Sequence, residues 1–185
     1  NLFIVSLLMR KKFHLYFITE KLDDLNLDYV KRIGAFLILR NPKKFKRYDL
    51  KIFNRRCTKR NIDLFIPNDT KTLFYLRSNK LYISAYNKKR FNHLKKINSK
   101  LEIIGSAHNV AEINEKIQQG CDYIILSRIF ETSNKLKRGH LGTIKFNLLT
   151  RNFAKKFIAL GGINEKNFRR TNILNIRGLA LLKDK

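Results

Sequence analysis

Hydrophobic residues recur along this chain as short runs bounded by polar or glycine-containing stretches, and the runs alternate with segments of helical spacing. The pattern is clearest over residues 101–163. Leu101-Glu-Ile-Ile-Gly-Ser-Ala-His-Asn109 is an apolar run that stops at Gly105 and turns polar. Val110-Ala-Glu-Ile-Asn-Glu-Lys-Ile117 then spaces its apolar residues as an amphipathic helix does. Gly120 stands where a left-handed C-terminal cap is needed. Cys121-Asp-Tyr-Ile-Ile-Leu-Ser127 is apolar almost throughout, as a parallel strand buried on both faces must be. A helix is expected near 146–154, and Lys156-Phe-Ile-Ala-Leu-Gly-Gly-Ile163 reads as a strand ending in two glycines. Paired glycines let backbone N–H groups come close to an anion.

The same rhythm runs through the rest of the chain. His14-Leu-Tyr-Phe-Ile-Thr19 is a first strand, residues 28–33 a short helix, and Gly34-Ala-Phe-Leu-Ile-Leu-Arg40 a second strand. A long basic helix over 45–60 leads to strand three, Ile62-Asp-Leu-Phe-Ile-Pro-Asn-Asp69, with a further helix starting at Thr70. Lys80-Leu-Tyr-Ile-Ser84 is strand four and Arg177-Gly-Leu-Ala-Leu-Leu182 strand eight. Eight apolar runs, each but the last followed by a helix or polar loop and none joined by Asn-Gly hairpin signals, predict a parallel (β/α)8 TIM barrel. A doubly wound open sheet is the alternative. At 185 residues the chain is short for a barrel, which typically has about 250 residues. Compact, trimmed helices and no full helix after strand eight are therefore expected.

Composition narrows the class. No apolar run approaches the roughly 20 residues of a membrane span, so a globular domain without membrane contact is expected, and a cytoplasmic location suits it. Cys57 and Cys121 both fall inside apparent regular elements, with nothing of a disulfide framework or zinc site. Residues 1–8 form a short apolar stretch before Met9-Arg-Lys-Lys12. A signal peptide carries its positive charge before its apolar run, not after it. Residues 1–8 are read as a poorly defined leader and 9–185 as a single domain.

Forty Lys and Arg against fourteen Asp and Glu give a net charge of +26, enough to attract polyanions through its long-range field. The basic residues are spread over nearly every expected helix, and no zinc-finger, KH or RRM signature accompanies them. The charge is read as background, with no specific nucleic-acid partner. Oligomeric state has no signature in the sequence.

Several landmarks carry a resemblance. Ile103-Ile-Gly-Ser-Ala-His-Asn109, Gly120-Cys-Asp-Tyr-Ile124, Ile129-Phe-Glu-Thr-Ser-Asn-Lys135, Leu141-Gly142, Ala159-Leu-Gly-Gly-Ile163 and Gly178-Leu-Ala-Leu-Leu182 stand in one order and spacing. In that order the chain resembles the thiamine phosphate synthase and TenI family of TIM barrels. The resemblance implies a role in thiamine biosynthesis: a hydroxymethylpyrimidine pyrophosphate loses pyrophosphate, and a thiazole phosphate attacks the stabilised carbocation. Such catalysis rests on positioning and electrostatics.

By the same resemblance, Arg40 matches one of three residues that hold pyrophosphate, while the other two positions are Ile38 and Pro42. Lys43 or Lys44 is a candidate substitute. Asn68 and Asp69 fall where the family contacts pyrophosphate and binds Mg2+, a hard cation that takes carboxylate oxygen. A plain helix cap is the alternative for that pair. The second metal carboxylate is replaced by Asn87, so weak Mg2+ binding is expected. Ser106 aligns with a residue beside the pyrimidine, and His108 follows it. Thr132 and Lys135 match a hydroxyl and an ammonium able to hold a phosphate. Gly161, Gly162 and Gly178 are implied to hold the thiazole phosphate through backbone N–H groups.

The small ligands expected are therefore the pyrimidine pyrophosphate and the thiazole phosphate. Arg40 and Lys135 are the catalytic candidates. Three other readings stay open. A TenI-like thiazole tautomerase would need an acid–base His where this chain has Arg128, unless His140 serves. The others are a non-catalytic thiazole-phosphate binder and a basic nucleic-acid binder.

Overall fold

The computed structural model describes residues 13–23, 25–132, 139–154 and 156–182. The leader and start expected near Met9 lie outside the described residues, as does Lys135. Eight parallel strands close into a barrel in sequence order, each strand hydrogen-bonded to the next and β8 returning to β1. The strands are β1 (His14–Thr19), β2 (Phe36–Leu39), β3 (Leu64–Pro67), β4 (Lys80–Ile83), β5 (Glu102–Ala107), β6 (Tyr123–Ser127), β7 (Lys156–Leu160) and β8 (Gly178–Leu182). The closed barrel, not the open sheet, is the fold.

Among the described residues six α-helices alternate with them: α1 (Leu27–Arg32), α2 (Arg47–Lys59), α3 (Thr70–Tyr75), α4 (Asn92–Ile97), α5 (Val110–Gln118) and α6 (Gly142–Thr150). Short 3-10 helices at Pro42–Lys44 and Phe168–Ile173 complete the set, the second standing between β7 and β8. Three of the α-helices, α1, α3 and α4, have only six residues each, a trimmed outer layer as expected. Helices this short are marginal in isolation and hold their shape by docking Val30, Leu73 and Leu94 on the barrel.

Alternation within the strands divides the core in two. One set, including Leu37, Leu64, Ile103, Ile124 and Phe157, faces outward under the helices. The other, Tyr16, Ile18, Ile38, Phe65, Tyr82, Ile104, Ile125, Ile158 and Ala180, fills the barrel interior. Polar side chains close its N-terminal end. Arg177 Nε donates to the Tyr16 hydroxyl at 3.0 Å and its guanidinium lies 4.0 Å from the Tyr123 ring centroid. Burial pushes the Tyr16 phenol up to about 12. Lys80 bridges Asp63 at 2.9 Å and Glu102 at 3.2 Å.

One local expectation holds and one is corrected. The fifth strand runs through Gly105 and ends at Ala107, as expected of a strand closing with Ser106-Ala107-His108. A side chain at Gly105 would stand 2.7 Å from Cys121 Sγ and 2.8 Å from Lys116 Cδ, so this glycine admits α5 rather than turning the chain. The helix expected over 146–154 starts at Gly142 and ends at Thr150. Its buried residues are Thr143, Phe146 and Thr150, and Thr150 Oγ1 donates to the Phe146 carbonyl at 3.0 Å. Threonines that satisfy their own hydroxyls can occupy a buried stripe that a count of apolar residues misses.

Candidate functional site

Arg40, Asn68, Asp69, Ser106, Thr132, Gly161 and Gly162 stand at one mouth, where the C-terminal ends of the strands open. Arg40 follows β2 and its N–H donates to the Thr19 carbonyl at 2.8 Å, tying it to the end of β1. Its guanidinium lies 3.7 Å from Glu20, which also stands 3.7 Å from Lys44 and accepts from Asn41 Nδ2 at 3.2 Å. An incoming anion would meet Arg40 and Lys44 already gathered around one carboxylate.

Asn68 follows β3 in left-handed backbone conformation, φ 51°, a region that asparagine tolerates. Its N–H donates to the Tyr82 carbonyl. Its Oδ1 accepts from the Ser84 N–H at 2.9 Å and from Asn87 Nδ2 at 2.9 Å, and its Nδ2 donates to Ser84 Oγ at 2.9 Å. Asn68 thus laces the end of β3 to the β4 loop. Asp69 caps α3. Its Oδ1 accepts from the N–H groups of Lys71 and Thr72 at 2.9 and 3.2 Å, and its Oδ2 from the Thr72 hydroxyl at 2.6 Å. Partial burial works against the charge. The Thr72 hydroxyl, the two backbone N–H groups and Arg47 outweigh it and hold the carboxyl below its usual range.

This donor set does not fit Mg2+. Both Asp69 oxygens are engaged in the cap, and the neutral Asn87 amide donates to Asn68 while its Oδ1 accepts from the Lys89 N–H at 2.9 Å. Among the described residues no cluster of three or more His, Cys, Asp or Glu side chains could hold a metal ion. A hard cation needs free oxygen ligands, and here the substrate would have to bring nearly all of them.

Ser106, near the end of β5, is buried inside the barrel with its Oγ 2.6 Å from the Tyr82 hydroxyl. Burial pushes the Tyr82 phenol up, so it stays neutral and can donate. His108 leaves the strand and turns outward. Its Nδ1 lies 2.9 Å from Ser127 Oγ and 3.1 Å from the Ser127 carbonyl, and its N–H donates to Glu112 at 2.8 Å. Asn109 and Glu112 cap each other in turn, with Glu112 N–H on Asn109 Oδ1 and Asn109 Nδ2 on Glu112 Oε1.

The glycine wall lies on the opposite side. Gly161 and Gly162 follow β7 with φ of 103° and 70°. The chain after β6 runs beside them: Ile129 N–H donates to the Leu160 carbonyl and Phe130 N–H to the Gly161 carbonyl, both at 3.0 Å. A side chain on Gly161 would press on Arg128 Cγ at 2.5 Å, and one on Gly162 would strike the Glu131 and Phe130 carbonyls. Asn164 and Asn167 secure the Gly162 carbonyl at 3.2 and 2.7 Å. Among the described residues the N–H groups of Gly161 and Gly162 have no acceptor. Thr132 lies in the same wall with a buried Oγ1 that has no partner among the described residues.

Gly178 is elsewhere, which corrects its assignment to the phosphate site. It is the first residue of β8 and pairs with Ile158 on one side and His14 on the other. Gly161 is three positions further along β7, or roughly 10 Å at the rise of a strand. A side chain at Gly178 would run into the His14 carbonyl, so its smallness serves strand packing.

A family model described as "Thiamine monophosphate synthase" matches residues 15–184. The chain belongs to this family. The thiamine-phosphate synthase of Prochlorococcus marinus subsp. pastoris is 31% identical over 175 residues, covering 84% of this chain and 46% of its own length. The Methanococcus vannielii thiamine-phosphate synthase is 28% identical over 89 residues, 48% of this chain and 43% of its own length. The chain thus spans about half, or less, of the curated relatives it matches. In fold it is similar to a solved structure, thiamine phosphate pyrophosphorylase from Pyrococcus furiosus, at a TM-score of 0.70 and 19% identity over 94% of this chain and 87% of that one.

Of the residues that the sequence singles out, Arg40, Asn68, Asp69, Ser106, Thr132 and the glycine pair Gly161-Gly162 lie at or just beyond the C-terminal ends of their strands. Other residues of the mouth carry no motif. Tyr82 and Ser84 surface only through their partners Ser106 and Asn68. Lys116 and Gln119 were detectable in principle, since Lys116 lies three residues after Ile113 on the apolar stripe of α5, where a charged residue is out of place.

Proposed function

We propose that this member of the thiamine monophosphate synthase family binds a pyrimidine pyrophosphate and a thiazole phosphate at the C-terminal mouth and couples them with loss of pyrophosphate, at a strongly attenuated rate. The observation that carries the reading is the contrast between the two walls. Gly161 and Gly162 present backbone N–H groups beside a buried Thr132 hydroxyl, a setting suited to a phosphate. The pyrophosphate wall keeps Arg40, but Asn68, Asp69 and Asn87 spend their polar atoms on one another and on the α3 cap.

In this reading Arg40 and Lys44 exchange Glu20 for the pyrophosphate oxygens and stabilise the leaving group as charge develops on it. Ser106 and the Tyr82 hydroxyl face the pyrimidine from the barrel floor. The glycine wall orients the thiazole so that its nitrogen meets the cationic carbon. No step runs through a metal. Each charge-assisted contact missing from the pyrophosphate wall is worth about 1.5–3 kcal/mol, so two missing contacts imply a rate lower by roughly two to four orders of magnitude. Titration calorimetry with each ligand, run beside a thiamine phosphate formation assay, tests this. Thiazole phosphate binding with slow product formation is expected; binding of neither ligand would overturn it.

The absence of a histidine at Arg128 argues against the tautomerase reading, because a guanidinium cannot cycle a proton near neutral pH. His140 is exposed.

A further inference from the structure

Lys116 has no measurable exposure, although lysine is among the residues least often buried. Among the described residues its Nζ meets no carboxylate. Its Nζ donates to the Asn87 carbonyl at 2.8 Å and to Gln119 Oε1 at 2.9 Å. Gln119, itself buried, donates its Nε2 to the same Asn87 carbonyl at 2.6 Å. Two side chains, Lys116 of α5 and Gln119 at its C-terminal cap, therefore converge on one backbone oxygen of the loop after β4. The lysine stem passes under Gly105, where a side chain would press on it at 2.8 Å. Asn87 then passes the restraint on: its Nδ2 holds Asn68 Oδ1, and Asn68 holds the Ser84 N–H and hydroxyl.

We infer that Lys116 and Gln119 are positioning residues, a buried clamp that fixes the loop from Ser84 to Phe91 as one wall of the anion-binding mouth. A loop that carries Lys88, Lys89 and Arg90 in sequence repels itself and is solvated, so without the clamp it would sample many conformations. Burying an amine without a counter-ion is costly. The arrangement is explained when that amine orders a segment that the site needs in one place. The inference rests on the reading of the mouth as a pyrophosphate site, but the clamp itself is tested apart from that reading.

The experiment compares the full chain with Lys116→Met, which keeps the stem under Gly105 and removes the donor. Limited trypsin digestion reports on the loop directly, since its three basic residues are cleavage sites. Cleavage within 88–90 is expected at least tenfold faster in Lys116→Met. The affinity for inorganic pyrophosphate is expected to fall five- to tenfold, while that for thiazole phosphate changes less than twofold. Adding Asn87→Ala separates positioning from general loosening. If the clamp acts through the Asn87–Asn68 link, Lys116→Met in the Asn87→Ala background costs pyrophosphate affinity less than twofold, whereas independent effects would add.

Unchanged cleavage in 88–90, or additive losses in the cycle, would overturn the inference. Should Lys116→Met not fold, Gln119→Leu decides by the same readouts. A wild-type protein that binds no pyrophosphate would sink the reading of the mouth, and trypsin would still decide the clamp.

Discussion

At the scale of single residues, Asp69 has one visible job, capping α3, and its energetics follow from that. Replacing a capping aspartate by alanine costs about 1 kcal/mol, so Asp69→Ala should lower stability by about that much at pH 7. Asp69→Asn, which still accepts from Lys71 and Thr72, should lose less. Because the folded-state carboxyl sits below its ordinary value, its stabilisation is full above about pH 4, the unfolded value, and is lost as pH falls through the folded value. The stability gap between wild type and Asp69→Asn should close below that point; a gap constant down to pH 2 in urea titrations would contradict the assignment. The sequence showed the Asn68-Asp69 pair but not its employment. Motif reading names residue types, whereas the hydrogen bonds from Thr72 and Asn87 that occupy them depend on neighbours brought in by folding.

At the scale of elements, the strands were legible because strands buried on both faces must be apolar throughout, and each run matched a strand to within a few residues. The outer layer was harder to read. Helix α4, Asn92–Ile97, buries only Leu94, and the turn at Phe168–Ile173 buries Phe168 and Thr171. Neither leaves a 3.6-residue stripe long enough to detect. Glycine was legible as to place but not purpose: Gly161 and Gly162 shape the mouth, while Gly105 and Gly178 admit a helix and a strand. Gly178→Ala and Gly162→Ala should each cost about 1–3 kcal/mol through overpacking. They should differ in binding. Gly162→Ala is expected to weaken thiazole phosphate at least tenfold, and folded Gly178→Ala to leave it within twofold. Equal losses in calorimetry would return Gly178 to the phosphate site.

At the scale of the whole molecule, closure of the barrel was legible from eight runs in one rhythm. The tie between Lys116 and the far end of β4 was not, because it joins residues 29 apart whose types match no motif. Net charge acts on the molecule as a unit. A charge of +26 repels itself in the compact state, so thermal stability should rise as salt goes from 10 to 200 mM, against the fall expected if ion pairs such as Arg60–Asp28 dominated. Binding to single-stranded oligonucleotides should be weak, indifferent to sequence and steeply salt-dependent. Tight, salt-resistant binding to one sequence in an anisotropy titration would show that the charge serves recognition.

The central proposal is that Asn87 leaves the mouth without a second carboxylate beside Asp69. Restoring that carboxylate with Asn87→Asp, and following thiamine phosphate formation from both substrates over a Mg2+ titration, tests the claim most directly. The account predicts turnover at least tenfold above wild type, with the gain appearing only as Mg2+ is added. A wild-type enzyme already turning over rapidly, or an Asn87→Asp variant no faster at any Mg2+ concentration, would contradict it.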